Sequence, residues 1–168
     1  EEELDAVFSD WKIFTGSVKS GDNEGRTNKL IRVLQNSACL VTSKDKGAPE
    51  KERYIKGLFM VDEGFAGRLC EDGYIPAHPY YRIRLTEKES KRMPFWKYYT
   101  NDRYPDNITW SGRSRYFSNA VMARILKDIL SFRSEQEDYT QEIFDYFCLL
   151  NQIDEKEIPL PEGPLTDK

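Results

Sequence analysis

The sequence predicts an α+β fold, in which five or six strands curl into a small barrel with flanking helices. Three observations predict it. Short segments in the first two thirds alternate apolar and polar residues, or run apolar without interruption, as strands do. The clearest of them, Arg53 to Glu63, carries Gly57, where a bulge or a close backbone approach would let a sheet bend. Two segments near the C-terminus repeat apolar residues at helical spacing behind capping residues.

The elements follow in order. Residues 1–10 form an acidic lead, and Trp11-Lys12-Ile13-Phe14-Thr15 then alternates like a half-buried strand. Gly16 to Arg26 is polar and glycine-bearing, an exposed loop, and Lys29 to Leu34 is a short helix or irregular. Ala38 to Ser43 is a buried strand that ends in the loop Lys44 to Pro49, and the Arg53 to Glu63 strand follows. A glycine-rich connection, Gly64 to Gly73, leads to Tyr74-Ile75 and to the proline-flanked segment Pro76 to Pro79. Tyr80 to Leu85 alternates again, with Tyr81, Ile83 and Leu85 on one face and Tyr80, Arg82 and Arg84 on the other.

Thr86 and Glu89 have capping-box spacing and open a short helix that Pro94 ends. After the aromatic Phe95 to Tyr99 and the turn-rich Thr100 to Asn107, the segment Thr109 to Phe117 holds a final short strand. Ser118 caps a helix to Phe132 whose stripe is Val121, Met122, Ile125, Leu126, Ile129 and Leu130. Ser134 and Glu137 form a second capping box, opening a helix to about Asn151 with Ile143, Phe144, Phe147 and Leu150 inward. Pro159, Pro161 and Pro164 mark an extended tail. The organisation expected is an acidic lead (1–10), a barrel domain (11–133) and a C-terminal acidic helix with its tail (134–168).

A chain of 168 residues can bury a real core, and its 32% charged residues leave no apolar run of the roughly 20 residues that a membrane span needs. The first residues lack the basic flank and apolar stretch of a signal peptide, and a chain opening on Glu1 reads as a piece of a longer protein. Cys39, Cys70 and Cys148 lie far apart with only His78 to join them, which sets a zinc site aside. Cys39 and Cys148 stand in apolar stretches, the setting of buried inert thiols, and point to an intracellular, cytoplasmic protein.

Charge is uneven. Residues 134–168 hold ten acids against two bases, whereas 11–133 hold 23 bases against 14 acids. A basic body between acidic ends points to a polyanionic partner, against the plain alternative of a solvated surface.

Catalytic patterns are missing. There is no GxSxG elbow, no phosphate-binding loop and no GxGxxG, and the one candidate base, His78, sits among prolines. Glu50-Lys51-Glu52, Glu87-Lys88-Glu89 and Glu155-Lys156-Glu157 lack the strand setting of a metal nuclease and read as solvated helix ends or turns. The expectation is a chain without catalytic residues, metal or cofactor.

Aromatic residues make up 13% of the chain, and several stand in polar, turn-flanked company rather than in apolar stripes. Phe95-Trp96-Lys97-Tyr98-Tyr99 and Trp110-Ser111-Gly112-Arg113-Ser114-Arg115-Tyr116 are the main cases. Such rings can stack on nucleobases while neighbouring Lys and Arg meet phosphates. Alternatively they cap a small core with wet polar tips.

Trp11 to Gly16, Ala38 to Thr42, the central Gly57 to Asp62 strand, Phe95-Trp96 and Trp110-Ser111-Gly112 together resemble the PUA-like superfamily, in particular its EVE and YTH-type branches. The resemblance spans roughly residues 11 to 130. It implies a curved barrel with an aromatic pocket for one modified base, flipped from DNA or displayed by RNA. It also implies a targeting module of a larger modification-dependent restriction or defence protein. Carried over, Trp11, Phe14, Thr15 and Ser17 form the strand-one edge that faces the ligand, and Trp96, Tyr98 and Trp110 are cage walls. Arg113 and Arg115 are the contacts to a phosphate or a base edge, and Lys19, Arg26 and Lys97 join them as contacts to the nucleic-acid backbone. The competing expectation is a protein-interaction domain that docks a partner through the acidic C-terminal helix.

Overall fold

The computed structural model describes residues 2–14, 33–65, 73–101, 103–109, 117–133 and 139–166. Four antiparallel strands form one sheet in the order β1-β4-β3-β2: β1 Lys12–Phe14, β2 Ala38–Ser43, β3 Tyr54–Val61 and β4 Tyr74–Arg84. Among the described residues four α-helices accompany it: α1 Glu2–Asp10, α2 Glu87–Ser90, α3 Asn119–Arg133 and α4 Thr140–Leu150. The class is α+β as expected. Among the described residues the sheet has four strands, extended by a lone bridge from Tyr54 to Pro94, where five or six were expected.

β3 explains why the sheet is central. Leu58 and Met60 point into one core with Ile125, Leu126 and Ile129 of α3 and Ile143 and Phe147 of α4. Phe59 and Val61 point into a second core with Phe8 of α1, Val41 and Ile75. Covered on both faces, β3 reads as an apolar run instead of an alternation.

Two irregularities bend the sheet. Val41 pairs Gly57 while Thr42 pairs Ile55, so Lys56 is the extra residue of a bulge beside the glycine. On β4, Phe59 pairs Arg82 and Val61 pairs Ala77, which leaves His78 to Tyr81 opposite Met60 alone. That bulge frees the main-chain N–H groups of Tyr80 and Tyr81, and both donate to Nδ1 of His78, at 3.1 and 3.3 Å. Pro79 falls inside the bulge, where its missing N–H costs no ladder bond. The sequence therefore looks like two separate segments where the chain makes one bent strand.

The expected acidic lead is α1, whose Leu4, Val7 and Phe8, with Trp11 just past its end, meet the second core at helical spacing. The box at Thr86 and Glu89 is complete in both directions, and Ser118 Oγ accepts the Val121 N–H at 3.2 Å. α4 starts at Thr140; the capping box at Ser134 and Glu137, most of the expected strand Thr109 to Phe117, and Lys29 to Arg32 of the expected short helix lie outside the described residues. Leu150 of α4 is exposed rather than inward.

The C-terminal segment is not an appendage. Ile143, Phe147 and Ile158 belong to the same core as α3 and β3. Beyond them the chain lies along the single turn Phe95–Lys97: Gly163 N–H donates to Lys97 O at 2.9 Å and Leu165 N–H to Trp96 O at 3.3 Å.

Candidate functional site

The Phe95–Lys97 turn and the start of α3 frame a pocket. It has a volume of about 230 Å3, with Tyr98, Tyr99 and Phe117 on one side, Val121 and Arg124 of α3 beneath, and Pro159 to Glu162 as its rim. The rings of Tyr99 and Phe117 meet edge to face, centroids 5.5 Å apart, so a flat ligand would lie on one ring rather than between two. Arg124 is anchored by Nε to Pro159 O at 2.6 Å and by Nη1 to Asp128 at 3.4 Å. The size is below the roughly 300–1,000 Å3 of drug-sized sites and suits a single planar ring system.

Of the cage walls that the resemblance implies, Trp96 and Tyr98 fall among the described residues. Trp96 is 1% exposed, packed edge-on against Phe95 and Tyr99. It is core, not a wall, because the turn points its indole inward while the tail covers the backbone. Tyr98 lines the pocket, but its hydroxyl donates to Asp128 Oδ2 at 2.6 Å and its ring is buried. Burial first, and then the Asp128 carboxylate, hold this phenol far above its ordinary range. Lys97 extends over the Tyr98 ring at 5.7 Å.

A second arrangement forms where α1 meets β1 and β4. Arg82 lies over the Trp11 ring and Arg84 over the Phe8 ring, both at 4.8 Å. On the other face Lys12 lies over Tyr74 at 4.4 Å, and Phe14, half exposed, packs against Tyr74 at 5.4 Å. Trp11 occupies the left-handed region with φ 50 and closes α1 by donating its N–H to Val7 O. A bulky residue there costs roughly 1–2 kcal/mol, a position glycine usually fills. Trp11 stands just before β1 and Phe14 at its end, on a ring-and-cation edge, and neither lines the pocket.

Thr15, Ser17, Lys19, Arg26, Trp110, Arg113 and Arg115 lie outside the described residues. Sequence reasoning missed Phe117, Arg124 and the Pro159 to Glu162 rim as pocket residues, since nothing local announces that a tail folds back onto a helix. Arg82 and Arg84 had a signal, the alternation that put them on one face.

His78 is engaged structurally. With Nδ1 accepting two main-chain N–H groups, its Nε2 faces Glu63 at 3.4 Å, and its ring stacks on Tyr81 at 4.5 Å. The Cys39 thiol is pushed up to about 12 by burial, and the Cys148 thiol is raised for the same reason, so both stay protonated at neutral pH. The three Glu-Lys-Glu runs all sit on single helical turns, as expected. Glu89 departs from the expected solvated end, being buried against Arg133 at 3.1 Å. Among the described residues no helix is long and apolar enough to cross a membrane.

Fold and site define an α+β chain with a small ring-lined pocket and a separate edge of stacked cations. No family model matches the sequence, and neither a curated protein nor a solved structure matches the chain.

Proposed function

We propose that this chain is a nucleic-acid-binding module that receives one modified base of DNA or RNA, flipped or single-stranded. The observation that carries the reading is the pocket of Tyr98, Tyr99, Phe117 and Arg124, sized for one planar ring, in a chain whose body is basic. A base entering it would stack on Tyr99 or Phe117, worth about 1–3 kcal/mol. That offsets the few kcal/mol of unstacking the base from its neighbours. Arg124 supplies a charged donor for a base edge. The likeness to PUA-like domains of the EVE and YTH kind supports the same reading, and with it a role as the targeting module of a larger intracellular defence protein. In this reading the module carries no catalysis of its own.

The test is a titration with methylated, hydroxymethylated and plain oligonucleotides, single- and double-stranded, followed by intrinsic fluorescence. Preference for one modified base, abolished by Phe117→Ala in a folded protein, is the expected result. Equal or absent responses throughout overturn the reading.

A second reading has one observation behind it. Leu149 is 77% exposed on α4 beside the acidic Asp145 and Glu142, a surface that a protein partner could cover. Leu149→Glu separates the two, leaving oligonucleotide binding intact and breaking a helix-docked partner. Removing residues 134–168 cannot serve, because Ile143 and Phe147 are core.

A further inference from the structure

Arg82 and Arg84 leave β4 on one face, two residues apart, opposite Phe59 and Gly57 of β3. Two strand positions span about 6.6 Å, the order of the distance between neighbouring phosphates on a nucleic-acid strand. Each guanidinium lies over a ring supplied by the α1 end of the chain, Trp11 for Arg82 and Phe8 for Arg84. A guanidinium laid on a ring keeps its N–H donors in its own plane, directed outward, and forfeits little side-chain freedom when it binds an anion.

Both arginines lie on rings. Several other cations among the described residues close on carboxylates, Arg53 on Glu50, Lys56 on Glu87, Lys91 on Asp45, Lys127 on Glu155 and Arg133 on Glu89, while Arg92 over Phe132 is a further ring-held case. Among the described residues no carboxylate lies within ion-pair reach of Arg82, and Arg84 has only Asp5, at 3.9 Å with both side chains more than half exposed. Rings hold both side chains, and the one carboxylate near the pair is the exposed Asp5 beside Arg84, among the described residues.

We propose that Arg82 and Arg84 form a phosphate clamp for two consecutive phosphates of the nucleic-acid ligand, with the Asp5 carboxylate as an intramolecular competitor. The inference rests on the reading above and adds to it the residues that hold the backbone, none of which the sequence had assigned to that task. Base identity does not enter this contact, so it contributes affinity and salt dependence without discrimination.

The experiment is fluorescence anisotropy of labelled single-stranded oligonucleotides, plain and modified, across a salt series. Wild-type protein should bind with a steep logarithmic salt dependence. Arg82→Gln with Arg84→Gln should reduce that slope by about 1.4, two phosphate contacts at roughly 0.7 each. Plain and modified strands should lose affinity equally. Asp5→Asn should raise affinity at low salt by roughly two- to fivefold, the scale of one exposed charge pair. An unchanged slope in a folded double variant overturns the clamp and leaves the base-reading proposal standing. If the double variant does not fold, Asp5→Asn decides, and unaltered affinity overturns the clamp. Failure of the wild-type chain to bind any oligonucleotide overturns both.

Discussion

The ring of Phe8 occupies the space above Gly57: a Cβ on Gly57 would stand 2.7 Å from Phe8 Cε1 and 2.6 Å from the carbonyl oxygen of Ile83. α1 can therefore seal the second face of the sheet only because β3 lacks a side chain at that point. Gly57→Ala should destabilise the fold by about 1–3 kcal/mol, the cost of overpacking a closed site. Phe8→Ala should cost about 3–5 kcal/mol by leaving a cavity. In the double variant the methyl gains the room of the ring but still meets the Ile83 carbonyl, so the two effects should fall short of additive. Urea unfolding of the three variants measures this.

The C-terminal tail should detach on a single methyl. A Cβ on Gly163 would stand 2.1 Å from Trp96 O and 2.5 Å from the Lys97 carbonyl carbon, which are main-chain atoms that cannot swing aside. Gly163→Ala is expected to break the Gly163 to Lys97 hydrogen bond and to lift the Pro159 to Glu162 rim. Faster amide exchange confined to residues around 159–166, with the sheet still protected, is the expected signature.

Trp96→Ala is expected to act on stability before it acts on any ligand, at about 3–5 kcal/mol for a buried aromatic. Its indole should also resist collisional quenching in the native chain. A folded Trp96→Ala protein of wild-type stability would contradict this placement.

The end of α3 is tied to the α2 capping box through charge. Arg133 donates by Nη1 to Glu89 at 3.1 Å and to Arg84 O at 3.2 Å, while the same Glu89 oxygen accepts the Thr86 N–H at 3.0 Å. Glu89→Ala should cost up to about 3–5 kcal/mol, because it takes the countercharge from a buried guanidinium. Replacing both, Glu89→Ala with Arg133→Met, should recover part of that loss in a double-mutant cycle.

Alkaline pH should weaken the fold. The Cys39 thiol is raised from 9.0 to about 12 by desolvation, and burial and Asp128 push the Tyr98 phenol higher still. Both groups keep their protons in the native chain at pH values where the unfolded chain has begun to lose them. The unfolded state then binds fewer protons, and stability falls as pH rises. Their contribution is complete below about pH 9 and declines above it, toward pH 12 for the thiol. Urea midpoints above pH 9 should fall less steeply in Cys39→Ala and in Tyr98→Phe. The latter should also lose roughly 1–2 kcal/mol at neutral pH with its bond to Asp128.

Local chemistry was legible where it is settled within a few residues. The box at Thr86 and Glu89, the Ser118 cap and the apolar stripe of α3 stand as their residue types dictate, and Ala38–Ser43 is a strand as expected, though at the sheet edge with Val41 alone buried rather than a buried strand. Gly57 was legible as a point of close approach, though not what approaches. α1 was not legible because four of its nine residues are acidic and its apolar stripe, Leu4, Val7 and Phe8, is too short to stand out as a helix. The bulge at His78 was hidden because prolines on either side suggest a break in the strand.

By itself, the sequence determined which segments could be helix or strand, that the body is basic, and that aromatic residues exceed what strand and helix stripes require. Only the tertiary structure decided which aromatics are interior and which stand at a surface. Trp96 and Tyr99 are three residues apart on one turn, yet one is core and the other lines a pocket. The difference arises from the return of residues 159–166, about sixty positions away, over one side of that turn. Burial of a ring depends on what long-range chain closure lays across it, and no local pattern of residues encodes that.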